Sequence, residues 1–148
     1  MRDLAVEHLT AANLDDLVAM FAAVDRSHFA HATKSAAHRF LQEVADVHLI
    51  GRVDGQVVAF GMLRGWHEGY ETPSLGIAVR VDAEGRGYGR AMMRELERAA
   101  RARGAKQIRL RVHPKNARAR RLYESCGYGE VGVDRGEVLM LLDLADDG

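Results

Sequence analysis

Three alternating glycines, Gly85, Gly87 and Gly89, separate a strand pattern from a helix pattern and are well suited to holding an anion. Apolar residues dominate 75–81 before them, and apolar residues recur at helical spacing over 91–100 after them. Glycine reaches backbone conformations that side chains forbid, and the first amides of a helix have no partner within it. Because the helix dipole adds positive charge there, the pattern predicts a bound anion, most often a phosphate.

Two common phosphate-binding motifs fit this segment poorly. No Gly-Lys-Ser/Thr follows the last glycine, which excludes a Walker A loop. The tight alternation of glycines and the lack of an early βαβ unit argue against a dinucleotide fingerprint. For the loop considered by itself, a flexible connection without a ligand remains the alternative.

Positive charge is concentrated in the same part of the chain. Residues 86–121 contain 13 Lys/Arg against two acids, whereas the whole chain has 21 of each sign and no net charge. Part of this excess is typical of a solvated helix face, and the rest favours a positive field around a polyanionic small ligand. With little aromatic interleaving and no recognised motif, the stretch does not indicate a nucleic-acid surface.

The elements that must position these residues belong to one predicted domain, residues 1–148. The length and the 47% apolar content suit one core, and no linker or repeat interrupts the chain. No segment has the length of a signal peptide core or a membrane span, so we expect no membrane partner. A single cysteine excludes an internal disulfide, and we expect a cytoplasmic protein.

The periodicities predict a mixed α/β (α+β) layer structure with a central, mostly antiparallel sheet. Strands are predicted at 2–8, 47–53, 56–63, 75–81, 108–112, 129–133 and 137–144. Helices are predicted at 13–24, 35–45, from the glycine loop to 103, and at 116–125. Asp54-Gly55 and Arg135-Gly136 indicate tight hairpins, and Val44 is expected on the apolar face of the second helix.

A metal site is not expected from the sequence. His28, His31 and His38 are spaced by three and seven residues, which fits no strong zinc pattern. We expect these histidines at the surface or beside an acceptor pocket. Cys126 has no histidine-aspartate arrangement that would make it a nucleophile, so it is predicted to be a packed thiol.

A second segment, residues 110–128, carries Asn116, the triplet Leu122-Tyr123-Glu124 and the pair Gly127-Tyr128. Together with Ile77-Ala78-Val79 and the glycine loop, it closely resembles the GNAT superfamily of acetyl-CoA-dependent N-acetyltransferases. The loop of that family, Gln/Arg-x-x-Gly-x-Gly/Ala, aligns with residues 84–89. The motifs cover about residues 75 to 128. The resemblance implies a sheet of about six or seven strands, splayed in the middle and flanked by about four helices.

The resemblance also implies acetyl-CoA as cosubstrate and assigns its contacts. The pyrophosphate would lie on the backbone amides of Gly85, Arg86, Gly87, Tyr88, Gly89 and Arg90. The pantetheine arm would pair with the strand backbone at Ile77, Ala78 and Val79, and Asn116 would hydrogen-bond that arm. Further candidates for phosphate contacts are Arg118 and Arg121. Glu84 departs from the Gln or Arg usual in the family, which puts a side-chain contact at this position in doubt.

Acyl transfer to an amine needs a proton acceptor, donors for the thioester oxygen and a proton for the departing thiolate. By the resemblance, Tyr123 is the general acid, and amides near Ala78 and Val79 could serve the thioester oxygen. The glutamate that some family members carry five residues before the asparagine is replaced by Arg111. Glu71 is the first choice as base, ahead of His67 and Glu68, and a water chain without a single base remains open.

The sequence therefore predicts transfer of an acetyl group to a primary amine of a small molecule, by direct attack in a ternary complex. A protein or peptide acetyltransferase and a non-catalytic acyl-CoA sensor are the alternatives. Arg111 is mild evidence against the former, while Tyr123 and Asn116 favour an enzyme over the latter. Family resemblance also makes a homodimer a reasonable expectation.

Overall fold

A seven-stranded sheet forms the centre of the computed structural model, which describes residues 3–144. Its strands are β1 (Ala5–His8), β2 (Val47–Val53), β3 (Gln56–Arg64), β4 (Ser74–Val79), β5 (Gln107–Val112), β6 (Gly129–Asp134) and β7 (Glu137–Asp143). The α-helices of this described region are α1 (Leu14–Phe21), α2 (Lys34–Gln42), α3 (Tyr88–Ala102) and α4 (Ala117–Ser125). The predicted class of fold and the number of its elements are confirmed.

The sheet is splayed in the middle, as predicted. The strand order is β1-β2-β3-β4-β5-β7-β6, and every neighbouring pair is antiparallel except β4 and β5. Among the described residues, β4 and β5 pair in register only at Ser74 and Arg109. Beyond Ser74, β4 continues to Val79 beside β3 alone. A gap therefore opens on one side of the second half of β4.

Two apolar cores lie on opposite faces of this sheet. Met92 and Leu96 of α3 and Tyr123 of α4 belong to the core on one face. On the other face, Leu17 of α1 and Phe40 of α2 pack with the aromatic residues of the second core. Among residues 3–144, no helix is both long enough and apolar enough to cross a membrane.

Both predicted hairpins are confirmed. Asp54 and Gly55 have φ of 51° and 81°, and Arg135 and Gly136 have φ of 53° and 82°. Two consecutive positive φ values define the turn whose twist matches that of paired strands. The hairpins fix the β2–β3 and β6–β7 registers at Val53 opposite Gln56 and at Asp134 opposite Glu137.

Several predicted element ends were wrong. The first strand begins at Ala5, and residue 2 lies outside the described part of the chain. α1 ends at Phe21 rather than 24, and α2 ends at Gln42 rather than 45. Val44, predicted on the apolar face, therefore lies beyond the helix and is 80% exposed.

The strand predicted over 75–81 also ends early, at Val79. The backbone N–H of Val81 donates to the carbonyl of Ala23, 2.9 Å away, and a short 3-10 turn, Val81–Ala83, follows. This contact ties the segment after α1 to the end of β4. It places residues that are distant in sequence beside the gap between β4 and β5.

Candidate active site at the splayed strands

An open cleft of about 420 Å³ lies where β4 and β5 separate. Its walls are β4, the glycine loop with the start of α3, the first half of α4, and residues of the segment that follows α1. On this side β4 has no strand partner after Ser74. Its backbone groups can therefore pair with an extended ligand as a further strand would.

The glycine loop turns the chain into α3 and leaves the first amides of that helix open. Gly85 has φ of 76°, and Gly87, at the N-cap position, has φ of 87°. A side chain at such a backbone conformation costs roughly 1–2 kcal/mol. No side chain caps α3, so the N–H groups of its first turn have no partner there. The loop has the structure expected of an anion cradle.

Two arginines lie against this cradle. Arg90 and Arg118 both line the cleft. An Nη atom of Arg118 lies 3.0 Å from where a Cβ at Gly85 would stand, and its other Nη atom is 3.9 Å from an Oε atom of Glu84. Glu84, which departs from the family pattern, therefore lies beside an exposed arginine at the loop. Arg86 and Arg121 are exposed and do not line the cleft.

Asn116 serves as the N-cap of α4 and also lines the cleft. Its Oδ1 accepts a hydrogen bond from the N–H of Ala119 at 3.3 Å. This bond fixes which way the side-chain amide faces. The NH₂ group of Asn116 is left as a donor at the cleft wall.

Tyr123 lies on α4 with its ring almost fully buried and reaches the cleft wall. Its ring centroid is 6.2 Å from that of Tyr128. Burial raises the pKa of Tyr123 to about 12, and the nearby Cys126 adds to this rise. The phenol is consequently a neutral O–H donor throughout the range in which most enzymes work.

A histidine and an aspartate that sequence reasoning did not join also line the cleft. His28 Nδ1 lies 3.7 Å from Asp25 Oδ2, and each side chain is about half exposed. The hydroxyl and the backbone N–H of Ser27 donate to Asp25 Oδ1 at 2.6 and 2.9 Å and hold the pKa of that carboxyl below its ordinary value. The pair thus combines an imidazole with a carboxylate that stays ionised.

The predicted base, Glu71, lies elsewhere. It is exposed in the loop between β3 and β4, as are His67 and Glu68, and none of the three lines the cleft. The short spacing Asp25-x-x-His28 was visible in the sequence, but only the contact between Val81 and Ala23 brings it to the cleft. The catalytic role of Glu71 stays a prediction.

The cleft thus gathers most of the residues that the sequence assigned to a cofactor. Those that line it are Ile77, Ala78, Val79, Gly85, Gly87, Tyr88, Gly89, Arg90 and Asn116, together with Tyr123. Of the predicted set, Arg86 and Glu71 are outside its lining. The contacts of these residues with a ligand remain predictions.

Comparison with known proteins identifies the family and the fold. A family model described as the Acetyltransferase (GNAT) family matches residues 14–128. Over 57 residues, 38% of this chain, the sequence is 44% identical to a mycothiol acetyltransferase from Beutenbergia cavernae. That match spans only 19% of the relative's length, so it concerns a part of that protein.

Solved structures resemble the whole fold. A PaiA N-acetyltransferase from Thermoplasma acidophilum, in complex with coenzyme A, has a TM-score of 0.81 at 15% identity, over 95% of this chain and 99% of that one. The ribosomal-protein-S18-alanine N-acetyltransferase from Escherichia coli has a TM-score of 0.78 at 23% identity, over 99% and 97%. At these identities the likeness is one of fold. Because the family model covers most of the chain, this protein belongs to the acetyltransferase (GNAT) family.

Proposed function

We propose that this acetyltransferase moves an acetyl group from acetyl-CoA to a primary amine of a small molecule, by direct attack in a ternary complex. One observation carries the proposal. A single cleft joins the open amides at the start of α3, the unpaired side of β4 and the phenol of Tyr123. The open amides can bind an anion, the unpaired side of β4 can pair with an extended arm, and the phenol can donate a hydrogen bond to a leaving group.

In this proposal the chain binds acetyl-CoA mainly through its backbone. The amides of Gly87 to Arg90 hold the pyrophosphate, and Arg90 and Arg118 supply positive charge beside it. The strand edge Ile77–Val79 pairs with the amides of the pantetheine arm, and the NH₂ group of Asn116 donates to the same arm. Amides of β4 near Ala78 then face the thioester oxygen and stabilise the charge that develops on it.

Tyr123 donates a hydrogen bond to the departing sulfur. Its pKa of about 12 keeps the O–H intact, so the donor is present in every turnover at neutral pH. Transfer of the whole proton to a thiolate with an ordinary pKa near ~8.5 would be uphill by roughly 3 to 4 units. The main contribution of Tyr123 is therefore the hydrogen bond, which strengthens as charge moves onto sulfur. The thiolate then takes up, through solvent, the second proton that the attacking nitrogen loses as the amide forms.

His28, with a carboxylate oxygen of Asp25 3.7 Å from its Nδ1, is the base that we propose within the cleft. An amine like that of lysine has a pKa near ~10.4 and arrives protonated, so a proton must leave before or during attack. An imidazole beside the cleft can accept that proton, and the negative charge of Asp25 lies close to it. Glu71, exposed outside the cleft, is the alternative proposed from the sequence.

We propose a small acceptor because this chain lacks a glutamate that some protein-acetylating members of the family carry. Arg111 stands where some family members that acetylate protein N-termini carry a glutamate, and its Nη1 lies 3.2 Å from Asp134 Oδ2 on β6. Arg109 lies 3.8 Å from the same carboxylate. An arginine held in this way cannot accept a proton from a substrate amine.

The test is release of free thiol from acetyl-CoA in the presence of a panel of small amines and of peptides with free N-termini. We expect turnover with at least one small amine and little with peptides. A peptide preference would refute the small-molecule assignment. A rise in melting temperature with acetyl-CoA, but no thiol release with any acceptor, would refute the catalytic proposal.

Two pairs of variants identify the base. His28→Gln, with His38→Gln as the matched control, should lower kcat at saturating amine. Glu71→Gln, with Glu68→Gln as the control, should leave kcat unchanged. If Glu71→Gln lowers kcat and His28→Gln does not, Glu71 is the base.

A further inference from the structure

Three side chains of the kinds that ligate metals converge away from the cleft. Glu43 follows the end of α2, Asp46 directly precedes β2, and His48 is the second residue of β2. Their nearest nitrogen and oxygen atoms all lie within 4.8 Å of one another. Among residues 3–144 this is the one group of three or more such side chains that lie so close together. Neither Glu43, Asp46 nor His48 lines the cleft.

His48 carries a buried nitrogen that no hydrogen bond satisfies. The side chain is 7% exposed, and its Nε2 has no partner in the structure. The nearest acidic atom, Glu43 Oε1, is 4.0 Å away, too far for a hydrogen bond. The ring is fixed by stacking on Phe40, with 4.9 Å between ring centroids. A buried polar atom without a protein partner is uncommon in native proteins and is usually satisfied by an ordered water or an ion.

Asp46 is held in place by the loop after β3. Its Oδ1 accepts hydrogen bonds from the backbone N–H groups of Gly65 and His67, at 3.2 and 2.9 Å. The carboxylate is buried, and its second oxygen is left for another partner. Hydrogen bonds of this kind orient the carboxylate ligands of many metal sites.

We propose that Glu43, Asp46 and His48 bind one divalent transition-metal ion, with Zn²⁺ as the best match, and that water completes the coordination. One imidazole and two carboxylates form a mixed nitrogen and oxygen set that suits this class of ion. Ligands about 2.1 Å from a tetrahedral Zn²⁺ lie roughly 3.4 Å apart. The group must therefore contract, and the side chain of Glu43 is the most exposed of the three and can move.

One cation competes with a bound ion for Glu43: the Nε of Arg39 lies 3.9 Å from Glu43 Oε1, and the side chain of Arg39 is 53% exposed. Arg39 can move into solvent when Glu43 turns toward the metal. The bound ion would join the end of α2, the start of β2 and the loop after β3, so its effect is on stability rather than on the acyl transfer.

The experiment uses full-length protein freed of metal with a chelator and titrated with Zn²⁺ at pH 7.5. We expect one equivalent to bind with a dissociation constant in the micromolar range or below, and the melting temperature to rise with Zn²⁺ concentration. His48→Gln and Glu43→Gln should each weaken binding on the order of 100-fold or more. His38→Gln, an exposed histidine change on α2, is the matched control and should bind as the parent does.

Two further measurements test metal binding even if His48→Gln fails to fold. The visible spectrum of the Co²⁺-loaded parent should show nitrogen and oxygen coordination, and it should be lost in Glu43→Gln. The imidazole ¹⁵N signal of His48 should shift on adding Zn²⁺. Absence of stoichiometric binding, or binding that survives both His48→Gln and Glu43→Gln, would overturn the proposal.

Discussion

Replacing Tyr123 by phenylalanine removes one hydroxyl at the cleft wall and tests the proposed catalysis directly. The ring stays buried against Tyr128, so packing in the core is preserved. The variant loses only a donor that acts as negative charge develops on the departing sulfur. We therefore expect the loss in kcat and not in the dissociation constant of acetyl-CoA.

The size of the effect follows from the burial of this phenol. Loss of one donor to a developing charge lowers kcat by about 10²- to 10³-fold, which corresponds to roughly 3–4 kcal/mol. The pKa of Tyr123 is raised to about 12, an increase of two units over the ordinary tyrosine. At pH 10 only about one phenol in a hundred is ionised, compared with half for a free tyrosine. The loss should therefore be constant from pH 7 to pH 10.

The assay is thiol release at saturating amine, measured at several pH values, with acetyl-CoA binding followed separately by calorimetry. Tyr128→Phe is the matched control because it removes a hydroxyl from a neighbouring buried ring that does not line the cleft. The control should keep kcat within about threefold of the parent, as expected for a hydroxyl remote from the reacting atoms.

Two results would refute the reasoning. Equal losses in kcat and in acetyl-CoA affinity would mean that Tyr123 contributes to binding rather than to the transition state. A falling limb near pH 10 in the parent that disappears in Tyr123→Phe would mean that the phenol ionises normally and that its burial has no functional effect.

Three further predictions concern stability and binding. Burial raises the pKa of both Tyr123 and Tyr128 above the ordinary ~10 of unfolded chains. The contribution of the two neutral phenols to the free energy of unfolding is therefore complete below pH 10, and it is lost as the pH rises toward the folded-state pKa values. Urea unfolding should show the free energy of unfolding falling there by about 1 kcal/mol per pH unit for Tyr123 alone, and an unchanged slope in Tyr123→Phe would contradict this. Gly87→Ala should weaken acetyl-CoA binding, measured by calorimetry, about 5- to 30-fold, because relief of roughly 1–2 kcal/mol of backbone strain moves the amides. Gly136→Ala, which has a similar φ in a distant hairpin, is the control and should leave binding unchanged. Thr33→Ala removes the hydroxyl that caps α2 at 3.1 Å and should lower the free energy of unfolding by about 1 kcal/mol in urea titration, and no loss would mean that solvent replaces the cap.

The features that the sequence predicted correctly depend on short stretches of chain. Asp54-Gly55 specifies its hairpin because few residues tolerate two positive φ values in succession. Gly85 and Gly87 before α3 likewise have positive φ, which glycine adopts readily, whereas their predicted contacts with a ligand stay predictions. These conformations are fixed within a few residues, so no distant contact is needed to predict them.

The element ends were harder to predict because distant contacts decide them. β4 ends at Val79 because the chain turns away soon after it: the N–H of Arg80 still donates to Val58 of β3, but the N–H of Val81 donates to the carbonyl of Ala23. Val44 is apolar and at helical spacing, yet α2 has already ended at Gln42. Periodicity detects an element but not the residue at which tertiary contacts stop it.

The sequence by itself determined the family and the glycine turn that leads into α3, because each is encoded in a compact motif. Only the tertiary structure brought Asp25 and His28 to the cleft and set Glu43 and Asp46 beside the unsatisfied nitrogen of His48. Those groupings arise where the segment after α1 meets the end of β4 and where the loop after β3 holds Asp46. The packing of loops and helices against the sheet determines these contacts, and no local sequence pattern predicts them.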